Sequence, residues 1–248
     1  QIRQSVAGLA RASNDRVLVI SAPPGFTAKW LAPRLYRVLA AYPDIDARIS
    51  SNMSLVDFTR DGVDVAIRNM EVGRADPALV IDKLAELTLL PVCSPRLLAR
   101  SGGLRSPDDL RRLPLIHDDS LAARARLPTW TDWLKAAGVA GIDVGRGLRF
   151  NSADHALEAA VEGAGVLLAH KLLAFDDLRT GRLVAPFDLE LDSGRAFHFV
   201  CPAGSGVRPG VAGFRSWIKE EIDQIDLTRH RTAPKRGRGS RTAPARSR

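Results

Sequence analysis

Apolar positions along the chain change their period several times, and each change predicts an element. Between Gln1 and Asn14, Ile2, Val6, Leu9 and Ala10 recur at spacings of three and four, the period of one helix face. From Arg16 the pattern becomes short apolar runs separated by helical stretches. Val17 to Ile20 is such a run, and Ser21-Ala22-Pro23-Pro24-Gly25 breaks it, which predicts a strand ending in a loop. Pro33 suits the first turn of a helix, where its missing N–H costs nothing, and Leu35, Val38, Leu39 and Tyr42 then fall at helical spacing until Pro43. Ile45 to Ile49 alternates as a second strand. Ser54 with Asp57 has the form of a capping box opening a brief helix through Arg60, after which Asp61-Gly62 turns the chain into a third strand, Val63 to Arg68. A βαβαβ run needs right-handed crossovers, hence a largely parallel sheet with helices on its faces.

The later chain repeats that logic. Leu79 to Asp82 and Glu86 to Cys93 predict two further strands, and Pro95 opens a helix through Arg100. Residues 101–115 are rich in Gly, Arg, Pro and Asp, with a short helix at Pro107 to Arg111, and Leu115-Ile116 begins a second small sheet. Trp130, Trp133, Leu134 and Ala137 mark an amphipathic helix that Gly138 caps. Ser152 caps a helix from Ala153 to Glu162, Gly163 ends it, and Gly165 leads into the strand Val166 to Ala169. Phe197 to Cys201 is a last strand, and Phe214, Trp217, Ile218, Ile222 and Ile225 share one face of a closing helix, Val211 to Ile225. If this late material returns to the first unit, two strands cross between two α/β lobes, near Leu90 to Ser94 and Phe197 to Cys201. Such a pair would be a hinge around a cleft.

Charge changes the picture less than its sum suggests. The net charge is +8 over 248 residues, but residues 228–248 hold eight Lys and Arg, from Arg229 to Arg248, and no acid. Removing those eight from the 36 bases leaves 28 against 28 acids, so the folded body is neutral. The tail is too poor in apolar residues to offset its ordering entropy and is expected to be disordered. It has two readings, weak nonspecific contact with nucleic acid and a solubilising extension. No run approaches the ~20 apolar residues of a membrane span and the first residues are not signal-like, so no membrane partner and a cytoplasmic location are expected. Cys93 and Cys201, the two cysteines, stand outside any metal spacing, and read either as a redox pair or as buried inert thiols.

Catalytic and cofactor motifs leave recognisable spacings, and neither a nucleophile elbow, a phosphate loop nor a nucleotide fingerprint is present. Gly163-Ala164-Gly165 follows a helix instead of joining strand to helix, so it reads as a helix stop. His117-Asp118-Asp119 could act as base or ligand, but adjacent strand residues alternate faces and no partner lies at metal spacing. His155 and His170 are solitary and read as surface or helix-end residues. No catalytic residue, metal or cofactor is implied. In open α/β sheets ligands bind beyond the carboxyl ends of the strands. Those ends are polar here: Ser21 and the loop to Thr27, Ser51 and Asn52, Arg68 and Asn69, and Asn151 with Ser152. An Arg among small hydroxyl and amide groups can grip a carboxylate. Each serine alone reads equally as a helix cap.

Several phrases together resemble the effector-binding domain of LysR-type transcriptional regulators, closest to the glycine-cleavage activator-like subgroup. They are TAKWLAPRLYRVLAAYPDIDARI from Thr27 to Ile49, DGVDVAIRNM from Asp61 to Met70, LPVCSPRLLA from Leu90 to Ala99, LRFNSADHALEAAVEGAGVLLAH from Leu148 to His170, and RLVAPFDLEL from Arg182 to Leu191. The resemblance spans most of residues 1–225. It implies an α/β fold of two Rossmann-like lobes joined by two crossover strands, of the periplasmic-binding-protein type II kind. Residues 15–92 with 198–227 would form lobe I, residues 93–197 lobe II, and residues 1–14 the end of a linker helix. It also implies a small-molecule effector held at Ser21, Thr27, Ser51, Asn52, Arg68, Asn151 and Ser152, with His117 nearby; effectors vary across the family, and the carboxylate or amino acid expected here rests on Arg68 alone. A homodimer or homotetramer would contact DNA through an N-terminal helix-turn-helix that this stretch does not contain. The alternatives are a solute-binding protein of a transport system and, resting on His117, Asp118 and Asp119 alone, a small hydrolase.

Because the body is neutral, removing residues 228–248 should abolish most binding of this chain to nonspecific DNA at low salt. An electrophoretic shift that survived the truncation would show that the charge sum misleads.

Overall fold

A computed structural model describes residues 16–121 and 126–225, so the expectations for residues 1–14 and 228–248 lie outside the described residues. Eight strands form one sheet in the order β2-β1-β3-β8-β4-β7-β5-β6. They are β1 Val17–Ala22, β2 Asp46–Ser51, β3 Val65–Glu71, β4 Leu79–Val92, β5 Leu115–Asp118, β6 Leu148–Phe150, β7 Val166–His170 and β8 Leu191–Pro202. Lobe I is built on β1 running parallel to β2 and β3, and lobe II on β5 running parallel to β6 and β7. The two long strands serve both lobes. β8 pairs with β3 from Arg195 to Val200, β4 pairs with β7 from Leu89 to Val92, and β4 and β8 pair with each other.

β4 corrects the expectation of two strands, since Leu79–Val92 is one strand whose register shifts between Lys83 and Ala85 and between Glu86 and Thr88. Bulges of this kind bend a strand and increase its twist. They lie before the Leu90 to Ser94 position at which the crossing was expected.

The first helical region, α1, begins at Pro24 instead of Pro33 and changes pitch as it runs, through Pro24–Phe26, a π turn at Thr27–Leu31, a 3-10 turn at Ala32–Arg34, and Leu35–Ala41. Pro24 occupies the position where a missing N–H is harmless. Pro33 falls inside the helix, and the change of pitch around it accommodates its ring and its absent donor. Ser54 and Asp57 open no helix. Asp57 Oδ1 accepts from the Thr59 amide at 3.0 Å and the Thr59 hydroxyl at 2.6 Å, which closes a turn.

Helices α2 Pro95–Arg100, α3 Trp130–Ala136, α4 Ala153–Val161 and α6 Pro209–Asp223 stand where periodicity placed them, and α5 Lys171–Thr180 was not anticipated. The Ser94 hydroxyl caps α2 by accepting from the Leu97 amide at 3.2 Å. Ser152 occupies the N-cap position of α4 without such a bond, because its hydroxyl donates to Asp154.

One apolar cluster runs through both lobes, from Leu18, Phe26 and Trp30 to Ala153, Leu157 and Leu173. A second, with Leu97, Leu110, Trp130, Trp133 and Phe187, fills the opposite face of the lobe II sheet. Where α1 meets α4, a methyl group built on Gly25 would lie 2.8 Å from the Ala153 Cβ and 3.4 Å from Leu173 Cδ1. Behind that contact, Lys29 of α1 reaches Asp177 of α5 at 3.1 Å and also Glu158 of α4, while Arg182 bonds both acids at 2.9 and 3.0 Å. Arg34 pairs with Asp176 at 2.8 Å.

Gly25→Ala should therefore push α1 from α4 and lower stability by about 1–3 kcal/mol, the usual cost of overpacking. Urea melts read this directly, and a variant as stable as the parent would show that the lobes are not held at this point.

Candidate functional site

The carboxyl ends of β1 and β3 face those of β5, β6 and β7 across the junction of the lobes. A slot of about 40 Å3 remains there, between Pro23–Phe26, Met53 and Asn69 on one side and Ser120, Leu121, Asn151, Ser152 and His170 on the other. Ala153, Leu173 and Phe197 close its apolar floor.

Two polar groups in the slot lack protein partners. The Asn69 amide is oriented by Arg195, whose Nε donates to Oδ1 at 2.6 Å and whose Nη2 donates to the Asn69 carbonyl at 3.0 Å. Its Nδ2 is buried and unbonded. His170, 5 % exposed, ends β7 at the start of α5, and its Nδ1 is likewise buried and unbonded. Burial pushes the imidazole below its ordinary value, with the Asp118 carboxylate acting in the opposite direction.

Of the eight residues expected at the site, Asn151 and Ser152 line the slot and the other six do not. Ser21 is fully buried and receives Arg68, whose Nη2 donates to its Oγ at 2.7 Å and whose Nη1 donates to its carbonyl at 3.0 Å. The same guanidinium bonds the carbonyls of Ile67 at 2.7 Å and Ser54 at 2.9 Å, so it ties β1, β3 and the 51–54 loop together. Thr27 sits on the π turn of α1 with a buried, unbonded hydroxyl. Ser51 is exposed at the end of β2. Asn52 is folded onto its own loop, its Nδ2 on Ser50 Oγ at 2.8 Å and its Oδ1 on the Ser54 amide at 3.0 Å. His117 lies in a separate crevice of lobe II, its Nε2 3.3 Å from the Arg146 carbonyl.

His170, solitary in the sequence, is a lining residue that residue type alone does not single out. Its signal is positional: a lone polar residue closing an apolar run, VLLAH, at the ligand-facing end of a strand. Asn69 and Arg68 are neighbours on β3, where alternation sends the two side chains to opposite faces.

His117, Asp118 and Asp119 bond to separate partners. Asp119 bonds Arg149 at 3.1 and 3.2 Å, and Asp118 Oδ1 accepts from the Ser120 amide at 2.9 Å. Among the described residues no group of three or more His, Cys, Asp or Glu could hold a metal ion, and no helix is long and apolar enough to cross a membrane. Cys93 and Cys201 are both buried, and burial pushes the Cys93 thiol up to about 12.

Two lobes on shared crossing strands, with a polar slot at their junction, define a two-lobed α/β module of the binding-protein kind. The LysR substrate binding domain profile matches residues 11–223, and the chain belongs to that family. It is the effector-binding domain of a LysR-type transcriptional regulator, which senses an effector and couples that to regulation. It is 37 % identical over 219 residues to the glycine cleavage system transcriptional activator of Escherichia coli K12, covering 88 % of this chain and 69 % of that protein. The HTH-type transcriptional regulator PerR of the same organism is 32 % identical over 228 residues, 90 % of this chain and 72 % of the relative. Among solved structures, the effector domain of AmpR from Pseudomonas aeruginosa superposes with a TM-score of 0.66 at 31 % identity, covering 84 % of this chain and 95 % of that one. The AmpR effector binding domain from Citrobacter freundii gives 0.68 at 25 % identity, covering 85 % and 100 %. These relatives are transcriptional regulators.

Burial is the largest influence on His117, His170 and His198, and lowers all three. Unfolded imidazoles take up a proton near pH ~6.5 while the folded ones resist it, so the unfolded state binds more protons just below that value. Stability should fall as pH drops from about 7.5 to about 5.5. The lowered carboxyls of Asp82 and Glu158 titrate at more acid pH and do not interfere. Calorimetric melting points should fall across this interval, and less so in His198→Gln; a flat profile would contradict the burial argument.

Proposed function

We propose that the slot binds a small carboxylate or an amino acid, and that the ligand alters how lobe I, residues 15–92 with 198–227, closes on lobe II, residues 93–197. The bulges of β4 supply the flexible point. A homodimer or homotetramer then transmits the change to a DNA-binding domain elsewhere in the polypeptide, and the regulator works in the cytoplasm.

The observation that carries this reading is the pair of unbonded polar atoms in the slot, Asn69 Nδ2 and His170 Nδ1. A buried polar group left unsatisfied costs about 1–3 kcal/mol, so a ligand that bonds both recovers that loss. Asn69 is a fixed donor because Arg195 holds its oxygen. The free N–H groups opening α4, next to Ser152, favour negative charge in the same place. Arg68 and Ser21 act one layer behind, by holding the strand ends in position.

A space of about 40 Å3 admits little more than a water molecule. The effector therefore enters a form in which the lobes have parted.

A thermal-shift screen of amino acids and small carboxylates should yield a stabilising compound. Asn69→Ala and Ser152→Ala should each weaken that compound about five- to thirtyfold, the equivalent of one hydrogen bond of about 1–2 kcal/mol. The same compound should change promoter output in cells carrying the full-length regulator. A hit whose affinity neither variant alters would remove the slot as its site, and one without effect on transcription would favour a transport receptor.

A further inference from the structure

The slot is not the largest cavity at this end of the sheet. On the lobe II face that packs against α3 lies a crevice of about 680 Å3, within the size range of pockets that hold a small organic ligand. Its apolar surface comes from Leu89, Leu168, Trp130 and Val144. The Trp130 indole is fixed by its Nε1, which donates to the Ile116 carbonyl at 2.9 Å.

Charges of both signs border this apolar surface. Asp119 and Arg149 neutralise each other at 3.1 Å. That leaves the half-buried Asp118, which uses one oxygen for the Ser120 amide, and the exposed Arg126, whose charge also acts on the Asp132 carboxylate. His170 separates the crevice from the slot and borders both, nine-tenths buried and with Nδ1 unbonded.

A simple anion would meet Asp118 here, a simple cation would meet Arg126, and a neutral hydrocarbon would desolvate both without return. A ligand carrying both charges on an apolar body satisfies every wall. We propose that the crevice is a second ligand site, which takes a free α-amino acid with a large apolar side chain. The side chain lies on Trp130 and Leu168, the carboxylate turns to Arg126 and the ammonium to Asp118. Apart from His170, none of these residues belongs to the slot, so the two sites stand or fall separately.

L-phenylalanine titrated calorimetrically into the 248-residue chain tests this. Saturable binding is expected. Val144→Trp, which fills the crevice, should abolish it, and Arg126→Gln and Asp118→Asn should each weaken it tenfold or more. Phenylpropanoate, lacking the ammonium, and phenethylamine, lacking the carboxylate, should bind the parent chain correspondingly less well. Asn69→Ala, in the slot, should leave it unchanged. No binding in the millimolar range by protein with an intact melting transition overturns the proposal. So does binding that survives Val144→Trp and Arg126→Gln. If that surviving binding is lost in Asn69→Ala, phenylalanine occupies the slot and the slot reading gains what the crevice loses.

Discussion

The ladder between β4 and β8, from Leu79 opposite Pro202 to Leu89 opposite Leu191, sets the position of both lobes at once. β3 docks on one side of it and β7 on the other, so the parallel units of lobe I and lobe II share one hydrogen-bonded frame. The ladder cannot slide, because a slip of one residue would exchange the buried and exposed faces of each strand. It can bend where its register is already broken, between Lys83 and Thr88. In the proposed mechanism, a frame stiff in register and bulged at one level turns a local event at the slot into a change of angle between lobes.

What opposes that change is the contact behind the slot. Gly25 lets α1 approach α4 closely, and the apolar cluster continues across the junction without a break. Lys29 and Asp177, with side chains 11 % and 7 % exposed, form the most enclosed ion pair between the lobes, and Arg182 neutralises the remaining charge of Asp177 and Glu158. Parting the lobes would separate Lys29 from these acids while water reached both. The cost then lies between that of a surface pair, about 0–1 kcal/mol, and that of breaking a buried one, about 3–5 kcal/mol.

The lobes and most elements were legible in the amino-acid sequence because strands such as Val17–Ala22 and helices such as α6 carry an undisturbed period. β4 was not, and its residues show why. Leu84, Ala85, Leu87, Leu90 and Val92 all join the same cluster, so the two bulges break the period of two that a strand ordinarily shows. α1 was misplaced because two prolines compete for its start, and only the change of pitch before Pro33 makes Pro24 the beginning. The site was harder. Residue type and strand end single out Ser21 and Arg68 as effector-binding, but type cannot tell a side chain that faces a ligand from one that bonds its own backbone. For Arg68 that distinction lies in its bonds to Ser21, Ile67 and Ser54.

Closure also bears on how tightly any effector is held. If only the parted form admits ligand, the apparent affinity is the intrinsic affinity reduced by the fraction of molecules that are parted. Every interaction that secures the closed form, Gly25 against Ala153 and Lys29 against Asp177 alike, weakens ligand binding by that route without touching the ligand. The effector shifts the lobes only as far as it prefers one arrangement over the other. In the proposed site, a grip on Asn69 from lobe I and on His170 and Ser152 from lobe II supplies such a preference, because these residues stand on opposite sides of the slot.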